Sequence, residues 1–252
     1  MTRVFLNGCN GRMGKTIVQC VQETEGIEIV AGADKFDQSA HVFPVYEDAS
    51  LVKEEFDVII DFSHISSLPA VLALADKSSK SLIMCTTGFS QEEKEKIIEQ
   101  GKKTPVFYSA NMSLGINVLI TLAKKAAAVL YPDFDIEILE AHHNQKLDAP
   151  SGTALMIADE INGELDKKLQ YVYDRHPEKK KREKNELGMH AIRGGSIAGD
   201  HSVIFAGQDE VVTIKHHAQS RTVFARGAVA AARFMDKKPA GLYDMNDLIS
   251  VI

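Results

Sequence analysis

Val4-Phe5-Leu6-Asn7-Gly8-Cys9-Asn10-Gly11-Arg12-Met13-Gly14 joins a short apolar run to three spaced glycines and the start of a helical pattern (Met13, Ile17, Val18, Val21). Glycines placed so allow a tight turn and let backbone N–H groups approach a pyrophosphate at the positive end of the helix. The spacing is G-x-x-G-x-x-G rather than the commoner G-x-G-x-x-G, so the motif takes its weight from context. Ile27-Glu28-Ile29-Val30-Ala31 reads as a second strand, and Asp34 stands just past its end, twenty positions after Gly14. An acid there belongs on the ribose hydroxyls of a dinucleotide. Lys35 follows it directly. The carboxylate repels a 2′-phosphate and the ammonium can neutralise one, so the pair predicts acceptance of both NADH and NADPH. Cys9, close to the helix N-terminus, suits either packing or an oxidation-prone thiol.

The alternation continues outward from this stretch. Asp57-Val58-Ile59-Ile60-Asp61, Ser81-Leu82-Ile83-Met84-Cys85 and Pro105-Val106-Phe107-Tyr108 read as strands. A helix carrying Ile65, Leu68, Val71, Leu72 and Ala75 and a polar helix from Gln91 to Gln100 separate them. Continuous apolar strands between helices imply a parallel sheet covered on both faces, an α/β domain of Rossmann type. Ligands on such sheets bind at the carboxyl ends of the strands. Asp61-Phe62-Ser63-His64 and Thr86-Thr87-Gly88-Phe89 fall there, and Phe62, Ser63, Thr86, Thr87 and Gly88 suit close approach to a nicotinamide ribose. Phe62 and Phe89 fit a packed core equally well.

A helix with Ile116, Leu119, Ile120, Ala123, Ala127 and Leu130 leads toward a second domain. There the pattern changes to strands separated by turns: Met189 to Arg193, Ser202 to Ala206, Val211 to Lys215. These suggest a mixed or antiparallel sheet in an α+β domain. The run Glu178-Lys179-Lys180-Lys181-Arg182-Glu183-Lys184 reads as a solvated loop or strand edge without function. A final Ala-rich helix, Arg221 to Met235, returns to the first sheet.

Composition bounds the partners. The 252 residues are 44% hydrophobic and 25% charged, ordinary for a globular chain. A net charge of −6 speaks against nucleic acid, so an anionic ligand needs a local basic pocket. No apolar run approaches the ~20 residues of a membrane helix. The chain enters its first strand at once, which leaves no room for a signal peptide. Three cysteines without metal-ligand spacing suit reduced thiols in a cytoplasm.

The densest chemistry lies in Glu140-Ala141-His142-His143-Asn144-Gln145-Lys146-Leu147-Asp148-Ala149-Pro150-Ser151-Gly152-Thr153-Ala154. A strand pattern (Phe134 to Leu139) precedes it and a helical one (Leu155, Ile157, Ala158, Ile161, Leu165) follows. Two imidazoles, an ammonium and a Ser-Gly-Thr helix opening can bind an anion and move a proton. His142 and His143, consecutive in an extended segment, point to opposite sides and so do different jobs. Neighbouring histidines do not converge on one metal, and no further ligand set completes a site. His216-His217 ends a strand pattern with no helix opening behind it and reads as structural.

With both loops in view, the chain resembles the dihydrodipicolinate reductase (4-hydroxy-tetrahydrodipicolinate reductase) family. Gly8-x-x-Gly-Arg-Met-Gly14 is similar to that family's nucleotide loop, and Glu140 to Ala154 to its signature. Thr86-Thr87-Gly88-Phe89, Ser109-Ala110-Asn111-Met112-Ser113 and Arg193 to His201 also look like family segments. The resemblance implies a dinucleotide-binding domain over 1–113 plus 219–252 and a substrate-binding, tetramerising domain over 114–218. It implies NAD(P)H held by Gly8, Asn10, Gly11, Arg12, Met13, Ser109 and Met112 beside the residues named above. It also implies a cyclic dicarboxylate substrate with a conjugated imine, and a cytoplasmic homotetramer of lysine and diaminopimelate biosynthesis.

For that reaction Ser151, Gly152 and Thr153 can hold one carboxylate at the helix N-terminus. His143 and Lys146 add charge-assisted bonds of about 1.5–3 kcal/mol each. By similarity Lys146 is the proton donor, and His142 its acid–base partner or a stabiliser of developing negative charge. Two other readings share the nucleotide fold: an aspartate-semialdehyde or homoserine dehydrogenase, the former needing a reactive thiol such as Cys85, and a non-enzymatic NAD(H)-binding regulator.

Overall fold

A computed structural model describes residues 1–35, 41–177 and 179–251. The chain falls into two compact units, residues 1–114 with 221–252, and residues 115–220.

The first unit holds a seven-stranded sheet in the order β12-β6-β5-β4-β1-β2-β3, built from β1 (Thr2–Asn7), β2 (Ile27–Ala33), β3 (Val45–Tyr46), β4 (Val58–Asp61), β5 (Ser81–Met84), β6 (Pro105–Tyr108) and β12 (Gly241–Tyr243). Every pairing is parallel. All residues of β4 and β5 are buried, as a sheet covered on both faces requires. Successive residues therefore feed opposite cores. Leu6, Ile60, Ile83 and Phe107 join the core with residues of α1 (Arg12–Gln22), α6 (Thr222–Met235) and α7 (Met245–Ile249). Phe5, Ile59, Leu82 and Val106 join that of α2 (Leu68–Ser78) and α3 (Gln91–Gly101). Each fully buried side chain of this size contributes roughly 1.5–3 kcal/mol. Ser90 starts α3 with a capping box, accepting from the Glu93 N–H while the Glu93 carboxylate accepts from the Ser90 N–H.

The second unit holds a mixed sheet in the order β11-β10-β7-β9-β8: β7 (Asp135–His142), β8 (Gln170–Val172), β9 (Glu186–Arg193), β10 (Gly199–Ala206) and β11 (Val211–Ala218). β10 runs antiparallel to both neighbours, whereas β7 and β8 run parallel to β9. Helices α4 (Leu114–Leu130) and α5 (Gly152–Glu164) supply Ile116, Leu119, Ile157 and Ile161 to its core, against Ile136, Ile138, Val203 and Phe205.

The structure corrects several expectations. A two-residue strand, β3, precedes β4, so the loops at Asp61 and Thr86 end the fourth and fifth strands. β8, β12 and α7 are short elements without a readable period. Ile65 lies in a 3-10 turn ahead of α2. The basic run is not merely solvated: the Arg182 guanidinium donates to Glu137 (2.9 Å), Asp135 (2.9 Å) and the Ile136 and Glu186 carbonyls. A fork of five N–H donors matches that cluster of oxygens, and charge patterning alone does not reveal where such oxygens lie. Glu178, in the same run, lies outside the described residues.

Truncating Phe107, which is fully buried, to Ala is expected to lower unfolding free energy in urea by about 3–5 kcal/mol. Val129→Ala, at an exposed position of α4, is expected to change it by less than about 0.5 kcal/mol.

Candidate active site

In the first unit the strand order reverses between β1 and β4, and the loops leaving these two strands diverge there. The glycine loop hangs from the end of β2, because Gly8 N–H donates to the Ala33 carbonyl at 2.8 Å. Gly8 takes a φ of +84°, and a Cβ there would lie 2.4 Å from the Phe62 carbonyl oxygen. A Cβ on Gly14 would lie 2.2 Å from the Gly8 oxygen. The two glycines thus let α1 and the Phe62 loop close onto one turn. Gly11 at the N-cap provides no side-chain acceptor to the first turn of α1, which suits the Arg12 and Met13 N–H groups to a phosphate.

Beside the loop is a cavity of about 390 Å³ lined by Gly8, Gly11, Asp34, Lys35, Phe62 and Ser63, among others. One Asp34 oxygen accepts the Asn10 N–H at 3.0 Å, so this acid also holds the glycine loop. His64, from the loop after β4, lines the same cavity, as do Glu47 and Asp48, which were not foreseen. The three-residue turn after β3 that presents Asp48 gives no periodic signal.

Asp61, buried at the end of β4, accepts from Asn7 Nδ2 (2.7 Å), Ser63 Oγ (2.6 Å) and Thr86 Oγ1 (2.6 Å). Burial pushes its carboxyl up, against the pull of those hydrogen bonds. The Ser63 and Thr86 protons therefore point at Asp61, not outward, and the two hydroxyls brace the loops. Thr87 and Gly88 are exposed, while Phe89 is core. Ser109 Oγ donates to the Asn111 carbonyl at 3.0 Å. The Met112 side chain lies in the core, and its carbonyl packs against Gly227. Among the described residues, Asn10, Arg12, Met13, Thr86, Thr87, Gly88, Ser109 and Met112 do not line the cavity. Cys85 is buried, and burial with the charge of Asp61 pushes its thiol well up, which makes it a poor nucleophile.

In the second unit, β7 alternates strictly between partly exposed and buried positions. Glu140 and His142 lie on the buried side, in line with Ile136 and Ile138. The Glu140 carboxylate, 1% exposed, meets His142 Nδ1 at 2.6 Å and accepts the Ser151 N–H at 3.0 Å. Arg193, at the end of β9, forks onto both its oxygens at 2.8 and 2.7 Å. Burial pushes the Glu140 carboxyl up, but the bonds from Arg193, His142 and Ser151 outweigh it and hold the group below the usual range.

The loop that follows is pinned at intervals. Gly194 N–H donates to the His142 carbonyl (2.9 Å), Asn144 N–H to that of Gly195 (3.2 Å), and Arg193 Nη2 to that of Asp148 (2.6 Å). Lys146 pairs with Asp148 at 3.0 Å and is mostly buried. His143 has left the buried side and is half-exposed.

Ser151 caps α5. Its Oγ accepts the Ala154 N–H and faces His201 Nε2 at 3.1 Å. Its hydroxyl and N–H thus both make bonds within the unit. His201 stacks edge-on against His142, ring centroids 5.2 Å apart. Pairing of β10 with β11 sets His216 opposite His201 and His217 opposite Asp200, so β10 stands between the two histidine pairs. Glu140, Arg193 and His201 were legible only as parts of family segments. Among the described residues no three His, Cys, Asp or Glu side chains could hold a metal, and no helix is long and apolar enough to cross a membrane.

A parallel sheet with a glycine loop at its switch point and an acid after β2 defines a dinucleotide-binding fold. Joined to the mixed-sheet unit with its histidine–lysine loop, it marks an NAD(P)H-dependent oxidoreductase. Residues 2–112 match the family described as dihydrodipicolinate reductase, N-terminus, and residues 115–249 its C-terminus. The chain belongs to the dihydrodipicolinate reductase family. It is 53% identical to a 4-hydroxy-tetrahydrodipicolinate reductase of Caldanaerobacter subterraneus, over 99% of this chain and 98% of that one. It is 51% identical to one of Clostridium tetani, over 99% and 98%. The structure resembles a dipicolinate-bound dihydrodipicolinate reductase from Paenisporosarcina at a TM-score of 0.82 and 25% identity, covering 98% of this chain and 99% of that one. A probable dehydrogenase from Thermotoga maritima shares the fold, with a TM-score of 0.67 at 12% identity over 98% and 92%.

Burial, reinforced by repulsion from His142, pushes the His201 imidazole down to about 4. The unfolded chain binds this proton near the ordinary value of 6.5, the folded chain only near 4. Its contribution to stability is therefore complete above pH 6.5 and lost as pH falls toward 4, by up to roughly 3 kcal/mol. His201→Gln is expected to flatten the fall in Tm between pH 7 and 4.5; an unchanged slope would contradict this assignment.

Proposed function

We propose that this chain reduces 4-hydroxy-tetrahydrodipicolinate to tetrahydrodipicolinate in diaminopimelate and lysine biosynthesis. The observation that carries the reading is the intact signature loop, with Lys146 and His142 held on one pinned segment that runs into the N-terminus of α5. Similarity to reductases along the whole chain supports it.

The glycine loop and the Asp34 cavity suit a pyridine dinucleotide, since Gly8 and Gly11 line that cavity where α1 begins. When bound, that cofactor supplies the hydride. Asp34 accepts ribose hydroxyls, and Lys35 beside it supports use of both NADH and NADPH. In the substrate unit His143 and Lys146 offer charge to a cyclic dicarboxylate, and the Gly152–Thr153 turn offers the positive end of α5. Lys146 Nζ, held near Asp148, donates the proton, and His142 acts as its acid–base partner or steadies the charge that develops. Lys146→Ala is expected to keep NADH affinity, read by fluorescence titration, and to lower turnover about 10²–10⁴-fold in a coupled assay with freshly made imine. Near-normal turnover would remove Lys146 from this role. A crystal complex placing the nicotinamide far from Lys146 would overturn the whole arrangement.

Similarity along the whole chain to biosynthetic reductases supports a cytoplasmic enzyme. Helices α4 and α5 pack on one face of the mixed sheet. The other face carries Leu139, Ala141 and the exposed Ile192 and Val211, which suits assembly as a homotetramer. Sedimentation is expected to give four times the 27.7 kDa chain mass; a monomer would contradict it.

A further inference from the structure

A carboxylate as buried as Glu140 is costly unless every oxygen is answered. Three groups answer it, and all face it as donors: the Ser151 N–H, the Arg193 guanidinium and one nitrogen of His142. Carboxylate oxygens only accept, so the nitrogen at 2.6 Å, Nδ1, carries a proton. Nε2 is then the ring position left for chemistry. It faces Gly199, where a Cβ would stand 3.1 Å away, so the missing side chain keeps space beside that nitrogen.

We propose that Glu140, backed by Arg193, is a positioning residue that holds His142 as the Nδ1–H tautomer and presents Nε2 to the reaction. The proposal rests on the acid–base reading of His142 given above. Any proton that His142 gives or takes passes through Nε2. The ring alternates between imidazole and imidazolium while Nδ1–H stays on Glu140, whose charge does not change. Arg193 makes this arrangement tolerable by balancing the buried carboxylate. The same guanidinium holds the Asp148 carbonyl at 2.6 Å, so one side chain couples the orientation of His142 to the loop that carries Lys146.

The isosteric variant Glu140→Gln tests it. An amide has one accepting end only. If its oxygen keeps the Ser151 N–H, its NH₂ faces His142 and donates to Nδ1, moving the ring proton to Nε2. In the full-length wild-type protein, ¹⁵N NMR of the neutral His142 ring is expected to show protonated Nδ1 and bare Nε2, and in Glu140→Gln the reverse. Turnover in the variant is expected to fall on the order of 10²-fold, with KM within about threefold, as for carboxylates that orient a histidine from behind. NADH affinity, read by fluorescence, is expected to stay put.

A wild-type His142 protonated at Nε2 would overturn the proposal even if the variant failed to fold. A folded Glu140→Gln with unchanged tautomer and turnover would also overturn it. Undiminished turnover in His142→Asn would instead remove the acid–base reading beneath it, and the proposal with it, while leaving the tautomer result standing.

Discussion

Each unit of this protein turns one carboxylate inward at the end of a central strand, and the loops around it are arranged to answer that charge. Removing a carboxylate from water costs several kcal/mol unless donors replace the lost hydration. At the end of β4 the donors are neutral, from Asn7, Ser63 and Thr86. At the end of β7 they include a guanidinium. The difference shows in acidity: burial wins at Asp61, whose carboxyl is pushed up, and the donors win at Glu140, whose carboxyl is pulled down.

These two anchors link packing to function. Asp61 ties the ends of three parallel strands at the switch point where a dinucleotide fold binds its ligand. The glycine loop is held from the other side, by Ala33 and Asp34 at the end of β2. Glu140 ties β7, β9 and the start of α5 in the same manner. Because β7 alternates strictly, His142 continues the line of Ile136 and Ile138 and grows out of a packed core. A ring set on such a base loses little freedom when it acts, which is the advantage of a preorganised site.

Much of this was legible along the chain. The buried parallel strands announced themselves as unbroken apolar runs, and the glycine loop with Asp34 marked the nucleotide site through the order strand, turn, helix, strand, acid. The Glu140 to Ala154 segment stood out because its histidines, lysine and Ser-Gly-Thr helix opening are close in sequence. The misses have a shared cause. The inward hydrogen bonds of Ser63, Thr86 and Ser151 were not legible, because a sequence shows a side chain's chemistry but not its direction. Arg182 read as solvated because the acceptors it reaches on β7 are distant in the chain. The elements β3, β8, β12 and α7 span too few residues to establish a period.

The sequence by itself determined which residues bury themselves, where the parallel sheet runs and where the histidine–lysine loop opens α5, since local periodicity and short-range spacing encode all three. Tertiary structure alone decided that Arg193, from β9, meets Glu140 and that His201, from β10, meets His142. It also decided that Nε2 and not Nδ1 is the open nitrogen. Those outcomes depend on strand register across β9, β7 and β10, which brings together groups some fifty to sixty positions apart, and no local pattern records such a pairing.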